Sequence, residues 1–205
     1  MKIDIILLSG TPASGKDSIT NNLIEFDNRF VHFKKHKIAT GGKMDDTYYL
    51  IPKEEFDNMA QNNKFVQYHY RYDRGYGVSL EELKKLKHIG KIPVIHVGKY
   101  ENIQKFRDFG LKNLLSVLIH TDRKTTLERL QVRHVNDSNE VEKRITAYDE
   151  EIKQLCETLD EKKILDFDLL ISNNLDNISN ISNELYEKIT YKEKNCTSIE
   201  DILIC

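Results

Sequence analysis

Residues 10–18 read GTPASGKDS, two glycines spaced so that a short loop between them is followed at once by a lysine and an acid. Gly10 and Gly15 let the backbone curl so that its N–H groups face an anion, with Thr11, Pro12, Ala13 and Ser14 forming the turn. A helix starting near Asp17 adds the positive end of its dipole, and Lys16 reaches the phosphates of a bound nucleotide. The spacing meets GxxxxGK[ST] except that Asp17 stands where Ser or Thr is usual. A carboxylate beside a polyphosphate is repelled unless a cation lies between them. Three readings stay open: Asp17 ligates Mg²⁺, Ser18 supplies the hydroxyl one residue late, or Asp17 caps the helix start.

The elements that must position this loop follow from periodicity. Ile3–Leu8 is apolar and β-prone, and Asp17–Phe26 carries apolar residues at helical spacing, so the loop joins a strand to a helix. Further strands are expected at Ile92–Val97, Leu114–Ile119 and Asp168–Ile171, with helical patterns between them. That alternation gives the α/β class, a parallel sheet flanked by helices. Ser79 and Glu82 form a capping box for a helix from Leu80 that stops at Gly90, and a helix over Glu101–Phe109 stops at Gly110. Asp137 with Glu140 opens a long charged helix through Arg144 and Glu151 towards Leu159. Residues 30–77 break the rhythm with a short helix over Pro52–Asn63 and an aromatic run over Phe65–Tyr72, and read as an inserted lobe. Leu175, Ile178 and Ile181 keep a helical stripe through the Asn-rich stretch 172–183, while residues 191–205 form a C-terminal appendage.

Composition narrows the function classes. A length of 205 residues suits one α/β domain with an insertion, and 39% hydrophobic residues exclude a disordered chain. The net charge of -2 offers no bulk attraction to nucleic acid or to an anionic membrane. No run approaches the roughly 20 apolar residues of a membrane helix, and Met1 leads straight into a strand, so the cytoplasm is the expected compartment. Cys156, Cys196 and Cys205 have neither CxxC nor metal-like spacing and read as free thiols.

SGTPASGKDS, YYLIPKEEFDNMAQNNKFVQY, YGVS and ERLQVRHVNDSNEVEKRI follow one another in the order and spacing of the guanylate kinase family, which the chain resembles over about residues 3–190. The resemblance implies a P-loop core, an acceptor-binding lobe at about 30–77, an arginine-bearing lid at about 129–144, and transfer of the ATP γ-phosphate to a phosphorylated acceptor with Mg²⁺. Arg129 and Arg133, an i, i+4 pair, and Arg144 match the lid arginines. Guanidinium groups closing over phosphates stabilise the charge spread over the transferring group, so Lys16, Arg129, Arg133 and Arg144 are the candidate catalytic residues. No general base is assigned, because an acceptor phosphate is already anionic.

Tyr48 and Tyr76 fall where the family bonds the acceptor phosphate, and His36 and Lys43 are further candidates. Gln67, His96 and Gly98 stand where the family carries acids for guanine recognition, so GMP is expected to be a weak acceptor. Gln67 keeps one acceptor atom, and His96 ends a strand where ligands of open α/β sheets bind. GKDS and YGV also resemble ribose 1,5-bisphosphate phosphokinases, which implies a sugar phosphate as the other acceptor. The competing class is a guanylate-kinase-like binding module, against which the intact Lys16 and lid arginines stand. The expected partner is a small phosphorylated molecule, with no nucleic acid and no membrane, and the chain is expected to be a monomer or homodimer.

Overall fold

The computed structural model describes residues 3–39, 47–71, 74–98, 101–111, 113–160, 167–174 and 177–195. In chain order these form β1 (Ile5–Ser9), α1 (Lys16–Phe26), β2 (Phe30–His32), β3 (Lys35–Ile38), β4 (Tyr48–Ile51), α2 (Lys53–Gln61), β5 (Phe65–Arg71) and β6 (Arg74–Ser79). There follow α3 (Leu80–His88), β7 (Ile92–Val97), α4 (Glu101–Asp108), β8 (Leu114–His120), α5 (Arg123–Arg133), α6 (Ser138–Asp160), β9 (Leu169–Ser172) and α7 (Ile178–Asn195).

Every residue of β1 is buried, the pattern of a strand covered on both faces. It lies at the centre of a parallel sheet of order β2-β7-β1-β8-β9. Side chains of a strand alternate between faces, and the two layers of core follow that parity. Ile6 and Leu8 pack with Ile19 and Leu23 of α1 and Leu185 and Ile189 of α7. Ile5 and Leu7 pack with Leu83 of α3 and Ile103 and Phe106 of α4 on the opposite face.

The second sheet has the order β4-β3-β6-β5, with β3 and β4 parallel and β6 antiparallel to both its neighbours. Its small core is Ile38, Phe56 and Phe65, and α2 docks on it through fully buried Phe56. The Phe56 ring lies 4.8 Å from that of Phe65, and a Cβ on Gly75 would come within 2.6 Å of it. Glycine at that position is thus a packing requirement of the α2 seat.

Capping at Ser79 and Asp137 is as the sequence predicts: Ser79 Oγ accepts from Glu82 N at 3.4 Å, and Asp137 Oδ1 from Glu140 N at 3.0 Å. Three expectations are corrected. β1 begins at Ile5, not Ile3. Phe30–His32 pairs with β7 in the central sheet, so the lobe runs from Lys35 to Ser79, not from Phe30. The stretch 172–183 is not helical throughout: β9 carries on to Ser172, and α7 starts only at Ile178 and continues past Tyr191 to Asn195. The last strand buries Leu169 and Ile171, which leaves Asn173 at its end for another use. Leu175, Cys196, Cys205 and the Ile202–Ile204 run lie outside the described residues, while Cys156 is an exposed free thiol. Among the described residues no helix is long and apolar enough to cross a membrane.

The buried ring of Phe56 should hold the lobe together. Phe56→Ala is expected to cost about 3–5 kcal/mol, read by urea denaturation. A loss below about 1 kcal/mol would show that α2 is not seated through this ring.

Candidate functional site

The loop 10–15 turns sharply between β1 and α1. Gly15 caps α1 in the left-handed region at φ 93°, and Ala13 also has positive φ at 55°, a conformation that costs a residue with a Cβ. That geometry is held by side chains that take up the loop's carbonyl oxygens. Lys16 Nζ donates to Gly10 O and Thr11 O, both at 2.8 Å, and to Ser14 Oγ at 3.1 Å, which uses all its ammonium hydrogens. Buried Asn173, at the end of β9, donates from Nδ2 to Ser14 O at 2.8 Å. Arg129 of α5 donates to Ala13 O at 3.3 Å and to Asn173 Oδ1 at 3.4 Å.

Burial pushes the Lys16 ammonium down from 10.5 to about 8, and the Glu151 and Asp17 carboxylates act to raise it. Among the described residues the buried Thr11 hydroxyl finds no hydrogen-bond partner. A cation, a helix N-terminus and an unsatisfied hydroxyl on one loop suit the phosphates of a nucleotide such as ATP.

Of the three arginines, Arg129 reaches the loop. Arg133 is exposed in the last turn of α5, and Arg144 of α6 donates to Glu140 Oε1 at 2.7 Å. α6 is clamped against α5 by Arg123, which donates twice to Asp149 at 2.8 and 3.0 Å, and by Tyr148, whose buried hydroxyl donates to Thr121 O.

His96, at the end of β7, turns its ring towards α1. Its Nε2 lies 2.8 Å from the Thr20 hydroxyl, and that hydroxyl donates its only hydrogen to Lys16 O. On the other side of the ring, His96 Nδ1 lies 3.6 Å from Asp17 Oδ1. Burial pushes the imidazole down to about 3, so this contact is not an ion pair at neutral pH. Lys35 Nζ donates to the His96 carbonyl, and burial drags that ammonium down to about 8. For Mg²⁺, the Asp17 carboxylate offers one hard oxygen; water and phosphate oxygens would supply the rest. Ser18, exposed, lies about 100° further round the helix.

Strand parity divides the lobe into two faces. His36 packs against Tyr49 and Phe65 with ring centroids at 5.2 and 5.8 Å, on the apolar side. Tyr48 and Tyr76 meet on the opposite side at 5.7 Å, with Lys37 Nζ 4.4 Å from the Tyr48 centroid. His69 stacks on Tyr76 at 5.4 Å. Gln67, buried, donates from Nε2 to Asn102 Oδ1 and is 3.0 Å from His69 Nδ1. The structure thus joins Tyr48, Tyr76 and Gln67, leaves His36 behind the sheet, and places Lys43 outside the described residues. Sequence reasoning missed Lys37, Asn102, His32 and Asn173. Alternation alone selects Lys37 over His36 once Tyr76 is fixed as its partner in register.

A sequence profile of the guanylate kinase family matches residues 2–191. The guanylate kinase of Mycoplasmopsis pulmonis is 27% identical over 162 residues, covering 74% of this chain and 82% of its own. That of Clostridioides difficile is 23% identical over 197 residues, covering 95% and 90%. The crystal structure of guanylate kinase from Anaplasma phagocytophilum superposes with a TM-score of 0.64 at 17% identity, over 95% of this chain and 87% of that one, a likeness of fold.

Lys16 gives a pH test. Its ammonium is charged below about 8 and neutral above, so affinity for a non-hydrolysable ATP analogue should be flat near pH 7 and fall above pH 8. By pH 9 about one lysine in ten remains charged in the empty loop, a loss of up to about tenfold. Lys16→Arg keeps its charge and should flatten the profile in a fluorescence titration. A pH-independent wild type would remove the ammonium from phosphate binding.

Proposed function

The chain belongs to the guanylate kinase family, and from that membership we propose that this ATP-dependent phosphotransferase takes GMP as its acceptor. One observation carries the choice. As a sequence, Gln67 offers a donor and an acceptor, which weakens the guanine match. In the fold its amide N–H groups are taken by Asn102 and His69, so the group left for a base is Oε1, an acceptor like a carboxylate oxygen.

In the proposed mechanism Lys16 exchanges the carbonyls of Gly10 and Thr11 for oxygens of the β- and γ-phosphates, and the loop N–H groups and the start of α1 hold the same charge. Arg129 is already at the loop, and Arg133 and Arg144 close over the transferring group. Lys37 between Tyr48 and Tyr76 holds the acceptor phosphate. An acceptor-phosphate oxygen bonds to the γ-phosphorus as the bond to the β–γ bridging oxygen breaks, and ADP leaves. Mg²⁺, when bound at Asp17, neutralises β- and γ-phosphate charge.

A second reading, ribose 1,5-bisphosphate, is favoured by Gly98, which brings no side chain to the position of the second guanine acceptor, and by His96, which is turned to Asp17. GMP, dGMP, AMP, UMP and ribose 1,5-bisphosphate with Mg·ATP, followed by ADP release, separate the two. GMP is expected to give the highest kcat/KM, and Gln67→Leu to lower it about 10- to 100-fold without equal loss on the sugar phosphate. A higher kcat/KM for ribose 1,5-bisphosphate would overturn the GMP assignment. Lys16→Ala should remain folded by circular dichroism and nearly inactive; wild-type turnover in that variant would sink the mechanism.

A further inference from the structure

We propose that Asp17, His32 and His96 form a binding site for a divalent transition-metal ion, of the Zn²⁺, Co²⁺ or Mn²⁺ class, at the mouth of the phosphate loop. One ligand-type atom from each of the three lies within 4.8 Å of the others. They come from three separate elements: the first turn of α1, the end of β2 and the end of β7. The β2 and β7 strands are neighbours in the parallel sheet, which brings the His32 and His96 rings to 5.1 Å, edge to face.

The orientation of His96 is fixed from behind. Thr20 Oγ1 lies 2.8 Å from His96 Nε2 and holds the ring so that Nδ1 lies 3.6 Å from Asp17 Oδ1. A hydrogen bond to the second ring nitrogen is also how proteins orient metal-ligating histidines. Donors around a four-coordinate ion lie about 3.4 Å apart, given metal–nitrogen and metal–oxygen bonds near 2.1 Å, so the set must close by up to about 1.4 Å. Asp17 can make that movement, its side chain being 71% exposed. Two imidazoles and one carboxylate suit transition metals, whereas Mg²⁺ prefers oxygen donors.

Lys16 and Lys35 also act on His96 and oppose a dication, so the ion is held best when phosphate is present. That last role rests on the kinase reading; the metal site itself does not. The test therefore uses tag-free protein stripped of nucleotide and titrated with Co²⁺, read by visible absorption, with Zn²⁺ by calorimetry. One saturable ion per chain is expected, resisting displacement by millimolar Mg²⁺. His32→Gln, at an exposed position, and Asp17→Asn should each weaken Co²⁺ binding about tenfold or more while circular dichroism stays unchanged, and His96→Gln should act likewise. Absence of saturable Co²⁺ binding, equal binding in folded His32→Gln and Asp17→Asn, or ready displacement by Mg²⁺ would each overturn the assignment. Turnover plays no part in the readout, so an inactive enzyme that binds the ion would count against the kinase reading alone.

Discussion

A loop that must offer its N–H groups to an anion has to dispose of its carbonyl oxygens elsewhere, and the site follows from how this chain does so. Gly10 O and Thr11 O accept from Lys16, Ala13 O from Arg129, and Ser14 O from Asn173. Hydrogen bonds from charged donors contribute about 1.5–3 kcal/mol each and neutral ones about 1, enough together to hold Ala13 at positive φ. Two of the donors are distant in sequence, so β9 and α5 must be docked before the loop has its shape. The same bonds hold Arg129 beside the loop.

The lobe solves a different problem. Among the described residues its buried core is Ile38, Phe56 and Phe65, so it bends one face of a four-stranded sheet around a few rings and leaves the other face polar. Because strand side chains alternate, Lys37, Tyr48, Tyr76 and His69 share that polar face and order one another through ring and cation contacts. Gln67 joins them at the end nearest α4, where Asn102 removes one of its donors. Recognition on this face depends on which hydrogen-bonding groups remain unspent, not on residue type.

The lobe and the core are linked at the end of β7. Lys35 of the lobe donates to the His96 carbonyl, while the His96 ring is tied through Thr20 to the first turn of α1. On the other side, the Arg123–Asp149 pair and Tyr148 hold α6 to the start of α5, and the exposed turn around Arg133 is left outside that clamp. This division between a fixed base and an exposed tip is what a closing lid needs.

Much of the frame was legible in the sequence because it is written locally. The apolar run of β1, the caps at Ser79 and Asp137, the stops at Gly90 and Gly110 and the glycine–lysine loop each depend on residues a few positions apart. What periodicity could not resolve was membership: Phe30–His32 is too short a strand to declare which sheet it joins, and the Asn-rich segment hides the fact that Asn173 is a structural donor. The side of a strand on which His36 or Lys37 falls, the loss of a Gln67 donor to Asn102, and the turn of His96 towards Asp17 are set by contacts across about 30 to 80 residues of chain. A side chain's type fixes what bonds it is able to make. Tertiary structure decides which of them are already made, because buried polar groups must find partners wherever the fold brings them.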